Sequence, residues 1–137
     1  MSMKIRHLGG WRFNVRCRGH QIVSDQPLEE DGENTGMTPV ELFVSSLGCC
    51  IGVYAKMFCE RHKIPYEGMK IDLEWKMAGN PSRVSEFKAT IHLEKDVEPD
   101  LAQGILRMVK HCTVHNTIRD PPEIAISISS PRALAGD

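Results

Sequence analysis

The chain has 137 residues, with 17 lysines and arginines against 18 aspartates and glutamates, a formal charge of −1, 41 % hydrophobic residues and 26 % charged ones. That is one ordinary domain with enough apolar side chain to build a core, which excludes an intrinsically disordered segment. The near balance of charge supplies no electrostatic reason to expect nucleic acid or an anionic membrane as a partner.

No stretch approaches the roughly 18 uninterrupted apolar residues of a membrane span. The start, Met1 to His7, has no apolar segment behind its basic residues, so no signal peptide is expected. Five cysteines (Cys17, Cys49, Cys50, Cys59 and Cys112) without an export signal argue against a disulfide-stapled secreted fold and for a reducing, cytoplasmic setting.

Residues 1–24 read as short strands, in which Trp11, Phe13, Val15 and Ile22 alternate with polar neighbours and Gly9-Gly10 and Arg18-Gly19 supply the turns. Residues 25–37 form a polar, acidic loop carrying Pro27, Gly32 and Gly36, either a surface segment or a lid. Thr38-Pro39-Val40-Glu41 then opens a helix over 38–62. Thr38 accepts from the first-turn amides, Pro39 suits the first helical position and Glu41 reaches back to the cap's own N–H. From Leu42 to Ala55 the helix has no charged residue, which predicts burial on every side. Charge returns at Lys56, Glu60, Arg61 and Lys63, which predicts a solvated end containing Cys59.

An antiparallel hairpin is expected over 69–93, with Ile71, Leu73, Trp75 and Met77 inward on one strand and Phe87, Ala89, Ile91 and Leu93 on the other. A second helical region over 99–119 places Leu101, Ile105, Met108 and Cys112 on one apolar stripe, with Thr113 capping a further short helix. Ile124, Ile126 and Ile128 alternate as a final strand over 123–129, and a tail follows from Arg132. The order is α+β with antiparallel sheets around a long central helix. One chain of this length has trouble sheathing that helix, so a homodimer is expected. Gly48 and Gly52 would admit either a partner backbone or the chain's own sheet.

The cysteines have several readings. Cys50 and Cys112 lie on stripes that both face the core, so the two thiols would approach each other; equally, cysteine often serves as a small buried hydrophobe. His111, Cys112 and His115, with His62 and His92, raise the question of a metal, but there is no Cys-x-x-Cys or His-Glu-x-x-His, so no metal and no cofactor is expected. Adjacent Cys49 and Cys50 point about 100° apart on a helix, which disfavours a vicinal disulfide. Cys17 reads as a strand-end residue.

Thr35-Gly36-Met37-Thr38-Pro39-Val40-Glu41-Leu42-Phe43-Val44-Ser45-Ser46-Leu47-Gly48-Cys49-Cys50 resembles the Pro-x-Glu-Leu…Gly-x-Cys helix opening of the OsmC/Ohr family, and Cys112-Thr113-Val114-His115-Asn116-Thr117-Ile118 resembles its second segment. The resemblance implies an intertwined homodimer with two interface sites and thiol-dependent reduction of organic hydroperoxides at the expense of a dithiol reductant. Cys50 would attack the peroxide, Cys112 would resolve the sulfenic acid, and Cys49 would pack the helix. Phe43, Leu47, Tyr54 and Met108 would form an apolar wall favouring organic peroxides. A thiolate in such a wall needs a cation or hydrogen-bond donor. Arg83, which recurs in the OsmC-like branch, and Arg16, Arg18 or Arg12 are the candidates, with Glu41 as the helix-start carboxylate. Val40 stands where the peroxidase branches carry that carboxylate, which points to the OsmC-like branch. The competing expectation is an OsmC-like protein that binds a small apolar ligand in an interface pocket lined by the cysteines, without peroxide turnover.

Overall fold

The computed structural model describes residues 1–131, so the tail expected from Arg132 lies outside the described residues. Three N-terminal strands, β1 (Lys4–Gly9), β2 (Arg12–Cys17) and β3 (His20–Ser24), form an antiparallel sheet in the order β1-β2-β3. The β2–β3 turn uses Arg18 and Gly19, both at positive φ, the backbone that a two-residue hairpin requires and that glycine adopts without strain.

The loop 25–37 folds onto itself around one carboxylate. Asp25, almost fully buried, accepts from the Gln26 amide at 2.8 Å, the Glu33 amide at 3.2 Å and the Thr35 amide and hydroxyl at 3.0 and 2.7 Å. Ser24 Oγ donates to the Met37 carbonyl at 3.0 Å and closes the base.

Helix α1 (Pro39–Arg61) opens on the expected capping box: Thr38 Oγ1 accepts from the Glu41 amide at 3.2 Å, and Glu41 Oε2 accepts from the Thr38 amide at 2.8 Å. Strands β4 (Lys70–Ala78) and β5 (Arg83–His92) form the expected hairpin, with Ile71 opposite Ile91, Leu73 opposite Ala89 and Trp75 opposite Phe87. Its wet face carries the cross-strand ion pairs Lys76–Glu86 at 2.9 Å and Lys88–Glu74 at 3.6 Å. Trp75, Met77 and Ala89, expected inward, remain exposed. Helices α2 (Pro99–Val109) and α3 (Thr113–Arg119) complete the fold. The core joins Leu47, Ile51, Ala55 and Cys59 of α1 to Ile64, Ile105, Val109 and Cys112.

Several sequence expectations are corrected. Helix α1 is buried along one side only: Val44, Leu47, Gly48, Ile51, Ala55 and Cys59 face the chain's own elements, while Phe43, Cys49, Val53 and Met57 are exposed. It is long and apolar enough to cross a membrane by length and composition, yet its buried side packs on β4 and α2 as a core helix does. Cys59 is fully buried, since it continues the 51–55–59 row while Lys56, Glu60 and Arg61 turn away. A side chain at Gly48 would press on Leu73 and one at Gly52 would touch Ile71, so both glycines face the chain's own β4. Among the described residues no strand forms over 123–129. Ile124, Ile126 and Ile128 stand 81, 88 and 85 % exposed, because this stretch has no ladder partner within the chain.

Helices α1 and α2 meet where the Phe58 ring lies against Gly104, leaving no room for a β-carbon there. Gly104→Val is expected to cost about 1–3 kcal/mol through overpacking, whereas Gly79→Ala, which meets open space, costs little; urea unfolding of both variants distinguishes them. The Asp25 carboxyl is held below its ordinary value of 3.8, first by the Thr35 amide, with the Thr35 hydroxyl and the Gln26 and Glu33 amides adding against the cost of burial. A depressed carboxylate contributes stability that is complete above its unfolded pKa and lost as pH falls through the lower folded one. Hydrogen exchange of the Thr35 amide is therefore expected to accelerate below about pH 4 relative to the intrinsic rate, and in Asp25→Asn at neutral pH.

Candidate active site

Cys112 is positioned by the break between α2 and α3. The last turn of α2 ends with the His111 and Cys112 amides bonded back to Met108 and Val109 at 3.1 Å, and α3 starts at once. The expected cap, Thr113, is the first helical residue instead; the N-cap is Cys112, whose Sγ accepts from the His115 amide at 3.4 Å. The cause is local, since a sulfur at that position reaches the third amide of the helix as a hydroxyl would. Cys112 is fully buried, and the Cys50 thiol of α1 is its neighbour. Burial is the main influence pushing the Cys112 thiol up; the His115 amide opposes it, and the nearby Cys50 sulfur pushes the same way as burial. Cys50 itself is half-buried, and both cysteines are free thiols. A hydroxyl contact of 3.3 Å between Tyr54 and Thr113 joins α1 to α3 one turn further on.

The helices that carry the two thiols also form walls of a cavity of about 290 Å³, lined by Leu47, Ile51, Phe87, Ala89, His115, Ile118 and Arg119, although neither sulfur lines it. Of the wall residues expected from the sequence, Leu47 lies there. The Phe43 ring packs on Phe87 with centroids 5.9 Å apart and stays partly exposed. Tyr54 borders the thiols through Thr113. Met108 lines a different cavity, with Phe58, Arg61, His62, Gly104, Arg107 and His111. His111 and His115, the histidines a metal would have to draw together, thus face different cavities.

The expected thiolate-stabilising groups are dispersed. Glu41 is engaged in the helix cap. Arg83 donates to the Pro81 carbonyl at 3.3 Å at an exposed turn. Arg16 donates to Gln21 at 3.3 Å, and Arg18 sits in the β2–β3 turn. Arg12 pairs with Glu33 at 3.3 Å. The substantial contacts of the N-terminal sheet are all between its own strands, so within one chain none of its arginines belongs to the thiol-bearing unit. The cation that does border the cavity is Arg119, which the sequence analysis does not single out; His115, considered there only as a metal ligand, lines the same cavity. Their signal was present: positions 115, 118 and 119 share one face of a helix.

The family model described as OsmC-like protein matches residues 32–127. The chain belongs to the OsmC-like family. No curated protein matches it. Among solved structures, this OsmC-like chain is similar to an osmotic stress induced and detoxification response protein from Psychrobacter arcticus, with a TM-score of 0.81 and 20 % identity over 85 % of this chain and 87 % of the other. It is also similar to an organic hydroperoxide resistance protein OsmC from Legionella pneumophila (TM-score 0.62, 21 % identity, 86 % and 88 % covered) and to the organic hydroperoxide resistance protein OhrB of Bacillus subtilis (0.65, 15 %, 88 % and 93 %). At these identities the likeness establishes the α+β OsmC-like fold.

Burial holds the Cys59 thiol above its ordinary value and encloses Cys112 completely. A short iodoacetamide pulse at pH 8 is therefore expected to leave Cys59 and Cys112 unmodified in the folded protein and to modify both after denaturation; peptide mass spectrometry reads the two states.

Proposed function

We propose that this OsmC-like protein is a thiol-dependent peroxidase that reduces organic hydroperoxides. The observation that carries the proposal is a half-buried free thiol, Cys50, neighbouring a fully buried one, Cys112, on helices that also wall an apolar cavity. Two of the structures it resembles are named for organic hydroperoxide resistance, in keeping with this reading.

The Cys50 thiolate attacks the distal oxygen of the hydroperoxide, the O–O bond breaks, and the alkoxide takes a proton and leaves as the alcohol. Cys50 is now a sulfenic acid. The Cys112 sulfur attacks it, hydroxide leaves as water with the Cys112 proton, and a Cys50–Cys112 disulfide forms. Two thiols of a dithiol reductant return both cysteines to the reduced state by exchange. Leu47, Ile51, Phe87 and Ile118 favour a substrate with an apolar organic group over hydrogen peroxide. The cation that favours the Cys50 thiolate is Arg119 from the cavity wall.

The functional unit in this proposal is a homodimer. Ile5, Phe13, Val15 and Ile22 share one face of the N-terminal sheet, with Ile5 and Ile22 61 and 47 % exposed, and this face does not pack on the chain's own core. The uncovered side of α1 is apolar as well, and the isoleucines of 124–128 lack a sheet. A second copy supplies cover for all three surfaces.

Two measurements test the proposal. Cys50→Ser is expected to abolish reduction of cumene hydroperoxide, and Cys112→Ser to complete one turnover and then accumulate sulfinic acid at Cys50. A Cys50–Cys112 linked peptide after one equivalent of peroxide identifies the pairing. Full activity in both variants would instead favour the apolar-ligand reading, in which the cavity holds a small apolar molecule. Sedimentation velocity is expected to give twice the chain mass, and Ile22→Asp to shift it toward the monomer.

A further inference from the structure

We infer that the outward face of the N-terminal sheet binds a small phosphate ester. Residues 1–24 contain Lys4, Arg6, Arg12, Arg16 and Arg18 and no aspartate or glutamate, so an almost neutral chain concentrates positive charge in one element. The register sets Lys4 opposite Arg16 and Arg6 opposite Asn14, and alternation along the strands places these four on the face opposite Ile5, Phe13, Val15 and Ile22. Lys4 and Arg16 border two adjoining cavities of about 360 Å³ each; Arg6 and Asn14 line one, Arg18 and His20 the other.

Three features of this face point to the ligand. Like charges set across a ladder repel, yet among the described residues none of Lys4, Arg6, Arg16 and Arg18 has a carboxylate partner, while Arg12 has Glu33. A compact multivalent anion relieves that repulsion, and guanidinium groups match the geometry of phosphate oxygens. Asn14 Oδ1 is enclosed and has no hydrogen-bond partner among the described residues. A ligand seated against this acceptor must donate to it, and a sugar offers several hydroxyls where hydrogen phosphate has a single one. A hydroxyl beside the phosphate supplies it. The paired cavities have room for a sugar phosphate or a mononucleotide and are small for a folded partner.

Isothermal titration of the full-length protein at low ionic strength tests the inference, with ribose 5-phosphate and inorganic phosphate as probes. Ribose 5-phosphate is expected to bind about tenfold more tightly than inorganic phosphate. Arg6→Gln and Lys4→Gln are each expected to weaken it by about tenfold, Arg6→Lys to retain most of the affinity, and Asn14→Leu to erase the preference over inorganic phosphate. Circular dichroism of each variant verifies the fold, and displacement of ribose 5-phosphate by excess pyrophosphate gives a readout on the unaltered protein. Absence of ribose 5-phosphate binding, or equal binding in wild type, Arg6→Gln and Lys4→Gln, overturns the inference. So does tight binding of a single-stranded DNA oligonucleotide, or of vesicles containing a phosphoinositide, that ribose 5-phosphate fails to displace. The readout is binding, so it stands apart from any outcome of the peroxide assay.

Discussion

A helix of 23 residues, uncharged from Leu42 to Ala55, has two sides to keep from water, and its own chain covers one. The covered side is closely filled. Gly48 admits Leu73, Gly104 admits Phe58, and the row Leu47, Ile51, Ala55, Cys59 meets Ile105, Val109 and Cys112. The uncovered side carries Phe43, Val53 and Met57, each worth about 1.5–3 kcal/mol when fully buried. A marginally stable domain has little reason to leave that free energy unused. The detached N-terminal sheet has an apolar face of the right kind to use it. The thiol site lies on the boundary between the two sides, which makes the covering of α1 a condition for the chemistry as well as for stability.

In the proposed cycle the two cysteines would divide their work by environment. Full burial keeps Cys112 protonated and away from solvent oxidants, and its place at the N-cap of α3 aims the sulfur by a hydrogen bond from His115. Cys50 has no such enclosure and is the sulfur a substrate can reach. An attacking thiol must be accessible and a resolving thiol must be adjacent, and the asymmetry of burial assigns those parts in the proposed cycle. The same low polarity that suits an organic peroxide raises the cost of a thiolate, so the cation at Arg119 has an electrostatic task of its own.

What could be read from the sequence was mostly local. The Thr38–Glu41 box, the existence of the hairpin and the start of α2 depend on residues a few positions apart, and they form as expected. What was misread depended on tertiary neighbours. Cys59 was placed by the charges beside it in the chain, although its own helical row points to α2. Gly48 stays open between a partner backbone and the chain's own sheet in the sequence, because nothing in the chain order reveals Leu73. Ile124, Ile126 and Ile128 have a strand's alternation, but alternation does not supply a pairing partner, and this stretch pairs with none of the described strands. Met108 lines a different cavity from Leu47, and His115 lines the one with Leu47, a division between α2 and α3 that the apolar stripe alone does not reveal.

The N-terminal sheet shows how register alone can give one small element two surfaces. In a β-strand, a slip of a single residue exchanges the faces. Here such a slip would send Lys4, Arg6 and Arg16 toward a hydrophobic interface and Ile5, Val15 and Ile22 into water. The cost of burying unpaired cations forbids that arrangement. The register is held by the Arg18–Gly19 turn at one end and by the irregularity between His7 and Gly9 at the other. It is tied to the loop by the Arg12–Glu33 pair. Asp25, by closing that loop and so fixing the path from β3 to the Thr38 cap, couples the orientation of the sheet to the start of the helix that carries Cys50. In the proposed dimer, the charge asymmetry of the first 24 residues would therefore decide which side of the sheet faces the second subunit and which side is left for the proposed anion.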